Sequence, residues 1–224
     1  MLLFAAALLK YAGGRADVAR RYLAYLGLKS PERVLPGVAF NDPSYYEVLE
    51  DDNYITYLQS NVRLVEHVAR AKTVSICDIG CGRGQFLAEL GAAGFSDGVG
   101  YEISEAAVGK AVHKRVKWIS SLEEIEGTFD IVTLISVLEH IPPDTLSEFL
   151  DSVHSLTREY VVACIPTYPK NMLDFFDNDP THVNLERHEW WDELMALHGF
   201  QPQQLPRESL PFVEPFVYRK VNPG

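Results

Sequence analysis

The chain has 224 residues, of which 47% are hydrophobic and 23% charged, the make-up of an ordinary globular protein rather than a disordered or fibrous one. A formal net charge of −11 argues against nucleic-acid binding as the main activity, because such proteins present a basic face. Three cysteines cannot complete a disulfide set and point to a reducing, cytoplasmic setting.

The opening run Met1 to Leu9 is too short to span a bilayer and lacks the basic lead of a signal peptide, so no membrane association is expected. Apolar residues at helical spacing from Leu2 to Leu26, broken by Gly13-Gly14, predict two helices. Residues 1–45 are therefore read as a helical extension, either a lid over a site or an arm of a homodimer, and residues 46–224 as the main domain. Tyr45, Tyr46, Tyr54 and Tyr57 gather ahead of and inside a helix predicted from about Tyr54 to Ala71. They suit either a helix face packed on a sheet or the wall of a ligand pocket.

The apolar run ending at Asp78 predicts a strand buried on both faces, and a helical period begins at Phe86. Gly80, Gly82 and Gly84 make the turn between them. Without β-carbons, such a turn lets a ligand approach the backbone, and the helix N-terminus that follows offers N–H groups. Next come a strand from Gly98 to Ile103, a helix from Glu105 to Lys114, a strand from Val116 to Ile119, and a strand from Phe129 to Ile135. A helix opened by Pro142-Pro143-Asp144 runs to Leu156, and Tyr160 to Ile165 is a fifth strand. His188 to His198 reads as a helix stopped by Gly199, followed by strands at Gln203 to Leu205 and Phe212 to Val221. This alternation predicts an α/β fold, Rossmann-like, with a mostly parallel sheet and helices on both faces.

The turn departs from the dinucleotide pattern G-x-G-x-x-G, since the third glycine follows the second by two positions and Asp78 precedes the first. Glu102, at the end of the second strand, stands where an acid accepts both hydroxyls of a ribose. Cys77 to Gly84, Tyr101-Glu102, Phe129 to Val132 with Val137 to Pro142, and Phe216 to Lys220 together resemble the class I S-adenosylmethionine-dependent methyltransferases. The resemblance covers about residues 50 to 221. It implies a seven-stranded sheet with the last strand antiparallel and S-adenosylmethionine as cofactor. The methionine part would lie over Asp78, Gly80, Cys81, Gly82 and Gly84, the ribose on Glu102, and the adenine near Ile103 and Ser120, with Ser136 closing the cofactor site.

Asp179 to Asn184, Arg187, Trp190-Trp191 and His198 to Phe200 are similar to a pattern in members acting on sugars and other small hydroxylated metabolites. A carbohydrate is accordingly the first acceptor expected, with Tyr45, Tyr46, Tyr54, Arg187 and Trp190 as candidates to bind it. Trp190 and Trp191 are neighbours on a helix and point about 100° apart, so one enters the core and the other can face a sugar ring. An unactivated hydroxyl needs a base or a metal as its bond to the methyl group forms. His140, directly after the fourth strand, and His182 are the candidate catalytic residues. Glu139, His140 and His182 are alternatively candidate ligands for Mg2+, as in relatives with a Glu-x-x-Glu-His motif, although Ser136 stands at the first acidic position here. A phenol or quinone acceptor, a non-catalytic protein that keeps the cofactor fold, and nicotinamide-dependent oxidoreduction are the competing readings.

Overall fold

The structure is a computed structural model and describes residues 52–167, 182–205 and 214–221. The predicted extension over residues 1–45 lies outside the described residues, as do Tyr46, just beyond it, and the acidic stretch before His182.

The first described element is α1 (Asp52–Val68), followed by β1 (Ile76–Ile79), α2 (Gln85–Ala92), β2 (Gly98–Glu102), α3 (Glu105–Val108) and β3 (Val116–Trp118). Then come β4 (Phe129–Ile135), α4 (Leu146–Leu156), β5 (Thr157–Ile165), α5 (His188–Leu197), β6 (Phe200–Pro202) and β7 (Glu214–Lys220). The strands form one seven-stranded sheet in the order β3-β2-β1-β4-β5-β7-β6. Pairings among β1 to β5 are parallel, and β7 is antiparallel to both β5 and β6. The chain order reverses between β1 and β4, and in an open α/β sheet ligands settle outside the strand ends at such a reversal.

Two core clusters lie on the two faces of the sheet. Cys77, Val132, Val161 and Tyr218 point to the side covered by α4 and α5, where Leu150, Val153, Trp191 and Met195 meet them. Ile76, Ile131, Val162 and Val217, each one residue away, point to the side covered by α1 and α2, against Leu58, Val65, Phe86 and Leu90. The strands read as unbroken apolar runs because both faces are covered. Each fully buried side chain of this kind contributes about 1.5–3 kcal/mol.

Three expectations need correction. The helix predicted from Glu105 to Lys114 is a single turn ending at Val108, because Gly109 caps it and the chain then bends so that the Val112 N–H donates to the Arg83 carbonyl (2.8 Å). Pro142 and Pro143 lie in a turn ahead of α4, closed by the Thr145 N–H on the Pro142 carbonyl (3.0 Å), and the helix starts only at Leu146. The strand expected at Gln203 to Leu205 is Phe200–Pro202 instead, since Gly199 (φ 78°) turns the chain straight from α5 into pairing with β7. The three cysteines are free and buried, and no helix among the described residues is long and apolar enough to cross a membrane.

Candidate active site

The glycine turn sits at the carboxyl end of β1, with Gly80, Gly82 and Gly84 all at positive φ (68°, 54° and 82°). A β-carbon on Gly80 would come within 2.8 Å of Val137, in the loop after β4, and one on Gly84 within 2.5 Å of Val116. Backbone conformation and close approach thus both require glycine. Gly84→Ala is expected to destabilise the fold by about 2–4 kcal/mol. Thermal denaturation should show this as a fall of about 5–15 °C in Tm.

The turn's own amides are largely committed to the fold. Gly80 and Cys81 donate to the Tyr101 carbonyl (2.8 and 3.2 Å), Gly82 donates to Glu102 Oε2 (2.8 Å), and Gly84 donates to the Cys81 carbonyl (2.8 Å). Cys81 is buried, and its sulfur lies 2.5 Å from where a Gly100 β-carbon would stand, so its side chain fills a notch in β2. Gly100 thus makes room for the turn, which the sequence pattern does not single out.

Asp78 is 2% exposed. Its Oδ1 accepts from the Thr133 hydroxyl (2.7 Å), while Oδ2 is buried with no hydrogen-bond partner. Burial pushes its pKa up to about 7, the Thr133 hydrogen bond opposes this in part, and the Glu102 carboxylate adds to it. An unpartnered buried carboxylate oxygen beside the turn fits a ligand that brings a positive group, as the amino end of S-adenosylmethionine does. Glu102, also buried, joins Gly82 N–H on one oxygen to Ser104 N–H on the other (both 2.8 Å). A carboxylate has about four acceptor sites, so these bonds are compatible with ribose hydroxyls as further donors.

Beyond Glu102, Ile103 is 50% exposed and its carbonyl accepts from Trp118 Nε1 (3.0 Å). The two form an open apolar shelf suited to a flat ring. Ser120, expected near the adenine, directs both its N–H (2.9 Å) and its hydroxyl (2.5 Å) to Glu124 Oε1. These bonds hold the Glu124 carboxyl below its ordinary range. Neither Trp118 nor Glu124 carries a sequence signal that marks it for the site.

At the end of β4, Ser136 has φ 55° and is the non-glycine residue with positive φ among those described. That conformation costs about 1–2 kcal/mol for a residue with a β-carbon. Its N–H donates to the Cys164 carbonyl (3.0 Å), and its hydroxyl is 2.9 Å from the Tyr57 hydroxyl. Tyr57 is half-buried on α1, and burial with the neighbouring Cys164 holds its pKa well above the ordinary range. Of the tyrosine cluster, Tyr57 is the member whose side chain is described, and it meets Ser136 at the end of β4. Tyr54 lies on α1, with its side chain outside the described residues.

A 3-10 turn at Leu138–His140 follows. The Glu139 carbonyl accepts from the N–H groups of Val183 (2.7 Å) and Asn184 (3.1 Å), and the buried Asn184 side chain donates to the carbonyls of Leu138 (3.0 Å) and Ile141. This clamp brings His182 against His140, with ring centroids 4.7 Å apart at 66°. Ligand atoms of Glu139, His140 and His182 all lie within 4.8 Å of one another. Coordination distances of about 2.1 Å would close that span with small side-chain movements. His182, 42 positions after His140, is thus a neighbour in space of the adjacent Glu139 and His140, and the Val183–Asn184 contacts bring it there.

The acceptor candidates on α5 are less fully in place. Arg187 is exposed at the N-cap of α5, and Trp191 is in the core. Trp190 is half-buried, packed on the core and edge-on to Trp191 (4.8 Å, 87°), so only part of its ring is open to a ligand.

Among solved structures, magnesium protoporphyrin IX methyltransferase from Synechocystis, with S-adenosylhomocysteine bound, is similar in fold. It has a TM-score of 0.60 and 17% identity, over 92% of this chain and 95% of that one. A SAM-dependent methyltransferase from Archaeoglobus fulgidus matches with a TM-score of 0.64 and 20% identity, over 79% and 99%. The 1,6-didemethyltoxoflavin-N1-methyltransferase of Burkholderia thailandensis matches with a TM-score of 0.54 and 17% identity, over 84% and 94%. No curated protein matches the sequence at a significant level. The family model described as a methyltransferase domain matches residues 11–205. With the seven-stranded sheet, the glycine turn at its point of reversal and the acid at the end of β2, that match places the chain in the methyltransferase-domain family, as a class I methyltransferase.

Proposed function

We propose that the protein transfers the methyl group of S-adenosylmethionine to a hydroxyl of a small metabolite, with a carbohydrate as the first acceptor class. The observation that carries this reading is the Glu139, His140 and His182 cluster, held next to the cofactor turn by Asn184. S-adenosylmethionine supplies a methyl group on a positively charged sulfur. Asp78 would receive the amino end, Glu102 the ribose, and the Ile103 and Trp118 shelf the adenine. An imidazole of the cluster accepts the acceptor hydroxyl's proton as the new bond forms, and the Asn184 clamp supports this role by holding His182 against His140 in the loop after β4.

A cation in the same cluster is the second form of this reading. Two imidazoles and one carboxylate suit a borderline first-row ion such as Fe2+ or Zn2+ better than Mg2+, which prefers an all-oxygen shell. The ion would lower the pKa of the acceptor hydroxyl. Chelated protein should then lose turnover and regain it with Fe2+ or Zn2+ more fully than with Mg2+. Full turnover after chelation would leave the imidazole as the base.

The test of the whole reading begins with ligand-induced stabilisation. S-adenosylhomocysteine at a hundred times its Kd should stabilise the protein by about 2.7 kcal/mol, and NAD should do nothing. A screen with labelled cofactor against monosaccharides, their methyl glycosides, catechols and hydroquinones follows. Label transferred only to the phenols would move the acceptor to that class, for which the partly open Trp190 ring is the supporting feature. Stabilisation by NAD alone would overturn the assignment.

A further inference from the structure

Thr133 places a hydroxyl in the middle of an apolar strand. It is fully buried in β4, between Ile131 and Ile135 of the core that faces α1 and α2. Valine has nearly the same shape and would carry no polar atom into that core. The hydroxyl has a partner across the sheet, because Thr133 is in register with Asp78 of β1. Two acceptors are within its reach, Asp78 Oδ1 at 2.7 Å and the Cys77 carbonyl at 3.5 Å. It has one proton to give. The shorter bond has the length expected for donation to a charged acceptor, so the arrangement suits Asp78 as a carboxylate. A neutral carboxyl is the weaker acceptor, and one protonated on Oδ1 would turn the hydroxyl to the Cys77 carbonyl over the longer distance. The same bond decides which oxygen is offered to a ligand. Oδ1 is engaged within the sheet, and Oδ2 is buried with no hydrogen-bond partner.

We propose that Thr133 is a positioning residue for methyl-donor binding: by donating to Asp78 Oδ1 it favours the carboxylate and sets the pH range in which Oδ2 holds the ammonium group of the donor. The surroundings otherwise oppose this. Burial and the Glu102 carboxylate at the end of β2 favour the neutral carboxyl, and the Thr133 hydrogen bond works against both. Cys77 beside Asp78 and Cys81 in the turn are buried thiols pushed well above their ordinary range, so they stay neutral and bring no charge to the balance. The Thr133 bond is present with and without ligand, so it adds little to the affinity of the ionised form. Its effect falls on the proton that must leave Asp78 first. This inference rests on the methyl-transfer reading above.

Calorimetric titration of wild type and Thr133→Val with S-adenosylhomocysteine, from about pH 5.5 to 9, tests it without any acceptor. Taking the ratio of the two Kd values at each pH cancels the ligand's own titration. Losing the difference between a hydrogen bond to a charged and to a neutral acceptor should move the titration of Asp78 upward by about one pH unit. Thr133→Val should therefore bind about tenfold more weakly than wild type at the acid end, and the two should converge at the alkaline end. Thr133→Ser, which keeps the hydroxyl, should follow wild type throughout. Thr133→Ala gives the same reading as Thr133→Val if the valine variant does not fold. A merely structural role would weaken binding by one factor at every pH. Such a flat ratio, or no weakening at all, would overturn the proposal and leave the methyltransferase reading standing. Failure of wild type to bind S-adenosylhomocysteine would instead remove that reading and the proposal with it.

Discussion

His140→Ala and His182→Ala are expected to lower methyl transfer by about 10²–10⁴-fold while leaving S-adenosylhomocysteine affinity within about threefold. The two imidazoles lie edge to face beside Glu139 and belong to the loop after β4 and to the segment pinned beneath it, not to the turn that would hold the cofactor. Turnover and cofactor binding should therefore separate cleanly. Asn184→Ala supplies the matching control. It removes the donor to the Leu138 and Ile141 carbonyls, so it should lose a large part of the same activity without touching a reacting group. A loss of cofactor binding in step with turnover would show that the cluster serves the fold of the cradle and not the chemistry.

Asp78 gives the second large effect, and its sign follows from burial. With its pKa raised to about 7 in the free protein, the side chain is substantially protonated at and below neutral pH. The amino group of the cofactor favours the ionised form, so affinity for S-adenosylhomocysteine should fall as pH drops through 7. The limit is about tenfold per pH unit until the pKa of the complex is reached. Binding near pH 7 should release protons, measurable as a buffer-dependent heat. The ligand-free protein behaves in the opposite way. A carboxyl whose folded pKa lies above its ordinary value of 3.8 is a burden once ionised, so stability is lost as pH rises from about 4 to 7. The loss from this group is on the order of 4 kcal/mol. Asp78→Asn should flatten both profiles, weakening cofactor binding while leaving the free protein steadier at pH 8. A pH-independent Kd between pH 5.5 and 8 would sink this account.

How far the sequence reveals the molecule depends on the kind of signal. The strand Phe129–Ile135 is legible to the residue because an apolar, β-branched run bounded by Gly127 has few alternatives. The helix after Glu105 is overextended because Lys110 to Lys117 keeps a helical mix of residues, and nothing local announces that Val112 will be drawn to the Arg83 carbonyl. The edge strand β6 is misplaced by three residues because its position is set by pairing with β7, a distant partner. At the site, Asp78, Gly80 and Glu102 are readable from spacing along one turn and the next strand. Asn184, Gly100 and the positive φ of Ser136 are not, since each matters only through what another segment presses against it. His140 and His182 are visible as residue types, and only the clamp makes them a pair.

The way the glycine turn is tied to β2 also bears on time. Because Gly80, Cys81 and Gly82 already donate to Tyr101 and Glu102, the cradle has its shape before a ligand arrives. Association then requires no ordering of the turn, and the conformational entropy of arranging it is settled once, during folding. Capture of the methyl donor should accordingly be a single kinetic phase, first order in ligand up to high concentration, with no slow isomerisation behind it.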